Sequence, residues 1–258
     1  MSGRLEARGV THMFGGLRAV DDWSIVLEPG ELVGLIGPNG AGKSTVFNLI
    51  TGVYRATRGS IRFDGVELVG RRSNRIAACG IARTFQGIRL FKDLTVLDNV
   101  RVAHYVKMRY SLMEALFRTG RYHGAEDRVV GHSRELLEAF GLAEYAAERA
   151  SSLPYGQQRR LEIARALATE PRLLLLDEPA AGMNPNEVGR MMEFISWVRR
   201  EYRLTVLLIE HQMRLVMGIC ERIQVLDFGA TIAQGTPDEI RNNQRVLEAY
   251  LGPAEEGE

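Results

Sequence analysis

The sequence predicts an α/β fold interrupted by a helical insert, and three observations carry that reading. Apolar runs of strand length alternate with segments of helical character. A glycine-rich stretch, Gly37-Pro38-Asn39-Gly40-Ala41-Gly42-Lys43-Ser44-Thr45, stands between one such run and a helix. From about Leu94 to Ala150 extended segments disappear, and Leu136, Leu137, Phe140 and Leu142 recur at helical spacing.

Taken in order, residues 4–36 read as short strands broken by turns. Trp23 to Leu27 is one run, Pro29-Gly30 a turn, and Glu31 to Ile36 a second run apolar enough for a central strand. A helix is predicted from Ser44 to about Thr51, and Asp64-Gly65 marks a turn between extended segments. After the insert, Gln157 to Ala168 reads as a helix and Leu173 to Leu176 as a buried strand. A helix, a strand from Leu204 to Ile209, a further helix and two short strands complete the chain, and Pro253 to Glu258 reads as a frayed tail. The predicted domains are therefore a core over 1–93 and 156–252, a helical subdomain over 94–155 and a tail over 253–258.

Composition removes several function classes. Against 33 Lys plus Arg stand 32 Asp plus Glu, a net charge of +1, where a nucleic-acid coat or polybasic membrane binder needs a marked basic excess. Cys79 and Cys220 are too few for a disulfide framework and lack zinc-ligand spacing, so small buried hydrophobes in a reducing compartment are expected. No run approaches 18 apolar residues, and Met1 to Leu5 lacks the apolar core of a signal peptide, so a cytosolic protein is expected unless something else holds it at a membrane.

The stretch from Gly37 to Thr45 matches GxxxxGK[ST] in full, directly after a buried strand and before a helix. Its glycines let successive backbone N–H groups converge on phosphate oxygens, and the helix N-terminus adds partial positive charge. Lys43 is expected to reach the β- and γ-phosphates and the Ser44 hydroxyl to ligate Mg²⁺. Further on, Leu173-Leu174-Leu175-Leu176-Asp177-Glu178 ends an apolar strand on two carboxylates. Neighbouring strand residues point to opposite faces, so the two acids have different tasks. Asp177 is placed for the Mg²⁺ shell and Glu178 to polarise a water attacking the γ-phosphate.

The order phosphate loop, helical insert, Gly156-Gln157-Gln158 before a helix, then apolar-Asp-Glu resembles the ATP-binding cassette family over nearly the whole chain, about Leu5 to Gly252. The resemblance implies a RecA-like mixed sheet with an antiparallel β subdomain and a helical signature subdomain. It implies ATP and Mg²⁺ as cofactors, with Gln86 in Arg83-Thr84-Phe85-Gln86 sensing Mg²⁺ and the membrane partner. His211 in Leu208-Ile209-Glu210-His211 matches the family histidine that contacts the γ-phosphate, and Phe14 is the best candidate for stacking on adenine. The family signature Leu-Ser-Gly-Gly-Gln faces the ATP of an opposite subunit; here it reads Leu153-Pro154-Tyr155-Gly156-Gln157, without the serine hydroxyl. That variation, with Ala180-Ala181-Gly182-Met183-Asn184-Pro185 and Ala249-Tyr250-Leu251-Gly252, is similar to the ATPase subunits of branched-chain amino acid importers. Implied partners are a second cassette, transmembrane permease subunits and, indirectly, a solute-binding protein, at the cytoplasmic face of the inner membrane; nucleic acid is not among them.

Rival readings each lack a feature. No Asn-Lys-x-Asp guanine motif supports a GTPase. A small-molecule kinase has no use for the Gly156-Gln157 helix or His211, and 258 residues leave no room for the second cassette or long coiled coils of DNA-repair or ribosomal relatives. A lipid-exporter ATPase keeps the signature serine. Residues 101–134 carry seven basic residues (Arg101, Lys107, Arg109, Arg118, Arg121, Arg128 and Arg134) against Glu114, Glu126 and Asp127, interleaved with Tyr105, Tyr110, Phe117 and Tyr122. That stretch reads either as a solvated helical face or as a docking surface for permease helices.

Overall fold

The computed structural model describes residues 2–106 and 120–251. The chain forms two compact units, Met1–Gln86 with Arg172–Glu258, and Gly87–Pro171. Helix Tyr155–Leu167 belongs to the second unit, although the sequence reading divided the domains at 155/156 and gave most of it to the core. The texture change near Leu94 marks where strands stop, not where the chain passes from one unit to the other.

In the first unit, β1 (Leu5–Phe14) and β2 (Leu17–Leu27) form one long antiparallel hairpin, in place of the short broken strands expected. Register shifts between Ala7 and Met13 explain the broken alternation that made the run look discontinuous. With β4 (Arg58–Phe63) and β5 (Val66–Glu67) they complete a four-stranded antiparallel sheet in the order β2-β1-β4-β5. A six-stranded sheet runs β10-β9-β3-β8-β7-β6, comprising β3 (Leu32–Ile36), β6 (Ile81–Arg83), β7 (Leu173–Asp177), β8 (Thr205–Ile209), β9 (Arg222–Asp227) and β10 (Ala230–Gly235). All its pairings are parallel except that of β10 with β9, so the sheet is mixed. Every residue of β3, β7 and β8 is buried, as a parallel sheet covered on both faces requires, which is why these three were legible as continuous apolar runs.

Helix α1 (Lys43–Ile50) supplies Val46, Phe47 and Ile50 to a core that also holds Leu5, Trp23 and Leu27 from the hairpin and Leu35, Leu175 and Leu207 from the larger sheet. The fully buried Trp23 donates its indole N–H to Gln224 on β9 at 2.8 Å, tying the two sheets together with a satisfied polar contact. Helix α2 (Ser73–Ala78) precedes the edge strand β6.

In the second unit, α3 (Val96–His104) is capped by the Thr95 hydroxyl, which accepts from the Asp98 N–H at 3.0 Å. It packs with α4 (Gly120–Ala139) and α5 (Tyr155–Leu167), and α4 places Leu136 and Leu137 in the buried set. Arg101 pairs with Asp98 and Glu126, and the Tyr105 hydroxyl lies 3.2 Å from the Glu126 carboxylate, so these two members of the basic, aromatic stretch are engaged within the unit. Lys107, Arg109, Tyr110, Glu114, Phe117 and Arg118 lie outside the described residues, as does the tail Pro253 to Glu258.

The first unit continues with α6 (Pro185–Glu201), α7 (Met213–Ile219), α8 (Pro237–Arg241) and α9 (Gln244–Leu251). The last two lie beyond the two strands with which the sequence reading closed the chain. The signal for α8 was present: Thr236-Pro237-Asp238-Glu239 is a capping box with Pro at the first turn.

Candidate nucleotide site

The phosphate loop leaves β3 at Ile36 and enters α1 at Lys43. Two of its glycines are dictated by close backbone approach. A Cβ on Gly37 (φ +150°) would stand 2.0 Å from the Leu226 carbonyl oxygen, and one on Gly42 (φ +99°) 2.4 Å from that of Ala19. The loop is thus pressed against β9 and β2, which fixes its path. Lys43 is buried, and its ammonium donates to the carbonyls of Gly37 at 2.7 Å and Pro38 at 2.8 Å. Burial pulls its pKa down while Glu178 and Asp177 oppose the shift.

A cavity of about 400 Å³ opens over this loop. Asn39 to Thr45 line one side of it, and Gln86, Glu178 and His211 another. Those three residues, from the end of β6 and the ends of β7 and β8, meet in one cluster. The Gln86 side-chain amide donates to Glu178 Oε2 at 2.9 Å, and His211 Nε2 lies 3.0 Å from Glu178 Oε1. With a carboxylate as its partner, His211 Nε2 carries the proton. Glu178 is turned out of the strand by a left-handed backbone, φ +49°, which separates its side chain from that of Asp177.

Asp177 does not line the cavity; it is 4% exposed and receives the Arg83 guanidinium at 2.8 Å. Arg83 also donates to Asn48 Oδ1 at 2.7 Å, so one partly buried cation joins the acid strand to α1. Sequence reasoning quoted Arg83 only as a neighbour of Gln86. Its partner lies 94 positions away, a pairing that no local pattern announces. Glu210 was likewise passed over, as mere context for His211.

Phe14 is not brought to this cavity. It stands at the turn end of β1, paired with Leu17, in edge contact with the rings of His12 at 4.6 Å and Tyr54 at 5.1 Å, and Leu17, Arg18 and Ala19 line the cavity instead. In the second unit, Pro154 caps α5, its carbonyl accepting from Gln157 and Gln158 at 3.0 Å each. Tyr155 is half exposed and its hydroxyl accepts from Arg159 at 3.0 Å; Arg159 is in turn paired with the buried Glu162 at 3.1 Å. Gly156 begins the turn that follows, with open space around it.

Strand, glycine loop and helix, facing a carboxylate held by an amide and an imidazole, place the molecule among the phosphate-loop nucleotide hydrolases. The model of the ABC transporter family matches residues 20–181, and the chain belongs to that family; it is an ATP-binding cassette and an ATPase. A second model, the branched-chain amino acid ATP-binding cassette transporter, matches residues 230–252. The chain is 47% identical over 250 residues to the high-affinity branched-chain amino acid transport ATP-binding proteins BraF of Pseudomonas aeruginosa and LivG of Escherichia coli, covering 97% of this chain and 98% of each relative. Among solved structures, the ADP conformation of the cassette MJ1267 superposes with a TM-score of 0.85 at 29% identity, covering 98% of this chain and 100% of that one. A dimeric post-hydrolysis state of the cassette MJ0796 bound to ADP and Pi reaches 0.75 at 25% identity, covering 90% and 98%. Among the described residues no helix is long and apolar enough to cross a membrane.

Proposed function

We propose that this chain is the ATPase subunit driving a branched-chain amino acid importer. The observation that carries the reading is the match of residues 230–252 to the branched-chain cassette model, outside the segment common to ABC transporters at large. The 47% identity to BraF and LivG over nearly the whole chain supports it. The subunit works at the cytoplasmic face of the membrane against permease subunits, fed indirectly by a solute-binding protein, and closes on a second cassette.

The phosphates of ATP lie along the loop, accepting from its backbone N–H groups and from Lys43, whose ammonium leaves the Gly37 and Pro38 carbonyls to meet them. The donors near the loop suit Mg²⁺: one carboxylate (Asp177), one hydroxyl (Ser44) and one amide oxygen (Gln86) are hard oxygens, few enough to leave places for water and phosphate. When bound, Mg²⁺ neutralises charge on the β- and γ-phosphates. Arg83 holds the Asp177 carboxylate in place through one oxygen. Glu178 takes the proton of the attacking water, its carboxylate oriented by Gln86 on one oxygen and His211 on the other. Held by Glu178 in this way, the His211 imidazole stands at the cavity where the γ-phosphate lies. Pro154, Tyr155, Gly156 and Gln157 serve the ATP held by the second cassette.

Uptake tests the reading. In cells lacking the chromosomal copy, the wild-type chain should restore uptake of labelled leucine, isoleucine and valine, and Lys43→Ala should not. Full branched-chain uptake without the chain, together with loss of another solute, contradicts the assignment.

A further inference from the structure

Glu210 is the last residue before His211 and is 1% exposed. Among the described residues its carboxylate meets no cation; it is held by backbone N–H groups from two loops. Oε1 accepts from Ala180 at 2.8 Å, and Oε2 accepts from His211 at 3.0 Å and from Gln212 at 3.3 Å. Gln212 returns the contact, its side-chain amide donating to the Ala180 carbonyl at 2.9 Å. A backbone bond from the Glu178 N–H to the Ile209 carbonyl, 2.8 Å, closes the seam on its other side. The loop that follows β7 and the loop that follows β8 are thereby laced together within two residues of both Glu178 and His211.

Such an arrangement is expensive for a purely structural purpose. Taking a carboxylate out of water is unfavourable, and burial indeed pushes the Glu210 carboxyl above its ordinary range against the pull of its three N–H donors. An apolar side chain would fill the same space without that cost. What a carboxylate adds is a fork that fixes three N–H groups at once. The neighbouring backbone needs fixing: Glu178 holds a left-handed conformation, φ +49°, which a non-glycine residue keeps only when its surroundings over-determine it.

We propose that Glu210 is a positioning residue for hydrolysis, a buried clasp that sets the Glu178 carboxylate and the His211 imidazole at their mutual 3.0 Å. The proposal rests on the reading of Glu178 as the group that activates water. Glu210 touches neither nucleotide nor water; it acts through the two loops. Loosening the clasp lets both side chains drift, and a displacement of about 1 Å in a reacting constellation costs on the order of 100-fold in rate. The phosphate loop is not part of the clasp, so ATP affinity is spared.

The test uses the full chain in its assembled transporter, with Glu210→Gln, Gln212→Leu, Glu178→Gln and the double variant Glu210→Gln/Glu178→Gln. Glu210→Gln keeps the volume but turns an NH₂ group toward N–H donors. It should lower kcat about 10- to 100-fold while KM for ATP moves less than about threefold. Gln212→Leu, a milder change that keeps the buried carboxylate, should lower kcat about three- to tenfold with a native thermal midpoint, which keeps the test decisive if Glu210→Gln folds poorly. In the Glu178→Gln background the Glu210 substitution should lower kcat much less than it does alone, because of the two positioned groups only His211 is left. Multiplicative losses in the double variant, or wild-type kcat in both Glu210→Gln and Gln212→Leu, overturn the proposal. Wild-type turnover in Glu178→Gln overturns instead the reading beneath it.

Discussion

Lys43 shows how one residue can be legible and still be read incompletely. Its spacing from the loop glycines and its place at the start of α1 announced a phosphate ligand, but not that the ammonium is buried and held by the Gly37 and Pro38 carbonyls. Lys43→Ala should therefore raise the dissociation constant for ATP by at least about tenfold, since a charge-assisted contact is worth roughly twice a neutral one; equilibrium binding of a fluorescent ATP analogue measures it. Cys220 gives a prediction of a different kind. Burial pushes its thiol up to about 12, whereas Cys79 is half-buried. Only the thiolate is nucleophilic, so iodoacetamide at pH 8 should label native protein at Cys79 and reach Cys220 only in denaturant. Peptide mapping by mass spectrometry reads both sites. Glu178, Gln86 and His211 were identified by spacing and resemblance, and the fold brings all three within hydrogen-bond reach. Arg83 and Glu210 were not legible, because each acts through a partner on another strand end and carries no motif of its own.

At the scale of the element, strands buried on both faces were the easiest to read. β3, β7 and β8 are unbroken apolar runs, and a parallel strand has no polar face to confuse with a helix. The hairpin β1–β2 was harder, since its register shifts break the alternation on which strand recognition depends. Helix α5 is the element with the sharpest functional consequence. Its family position for serine holds Pro154, and the hydroxyl of the next residue, Tyr155, is turned to Arg159 within the same helix. In the proposed pair of cassettes the site that borrows this helix then lacks a hydrogen bond to charged phosphate, worth roughly 1.5–3 kcal/mol, or about 10- to 100-fold in rate. If the second cassette keeps the serine, turnover should depend mainly on Glu178 of this chain and much less on the corresponding glutamate of the other. ATPase rates with each glutamate changed singly to glutamine check it, and equal losses remove the asymmetry.

Across the whole molecule, the alternation of strands and helices announced a mixed α/β core, and it is a six-stranded mixed sheet beside a four-stranded antiparallel one. The boundary of the helical unit was misplaced because a unit is defined by what packs together, and α5 packs with α3 and α4 although it leads in sequence into β7. The central claim, that this architecture delivers Glu178 as the base for ATP hydrolysis, has a direct test. Glu178→Gln preserves shape and removes the proton acceptor, so ATP turnover of the assembled transporter should fall by at least about 100-fold while ATP remains bound in a closed pair of cassettes. Wild-type turnover in that variant, or failure to bind ATP, would contradict the account.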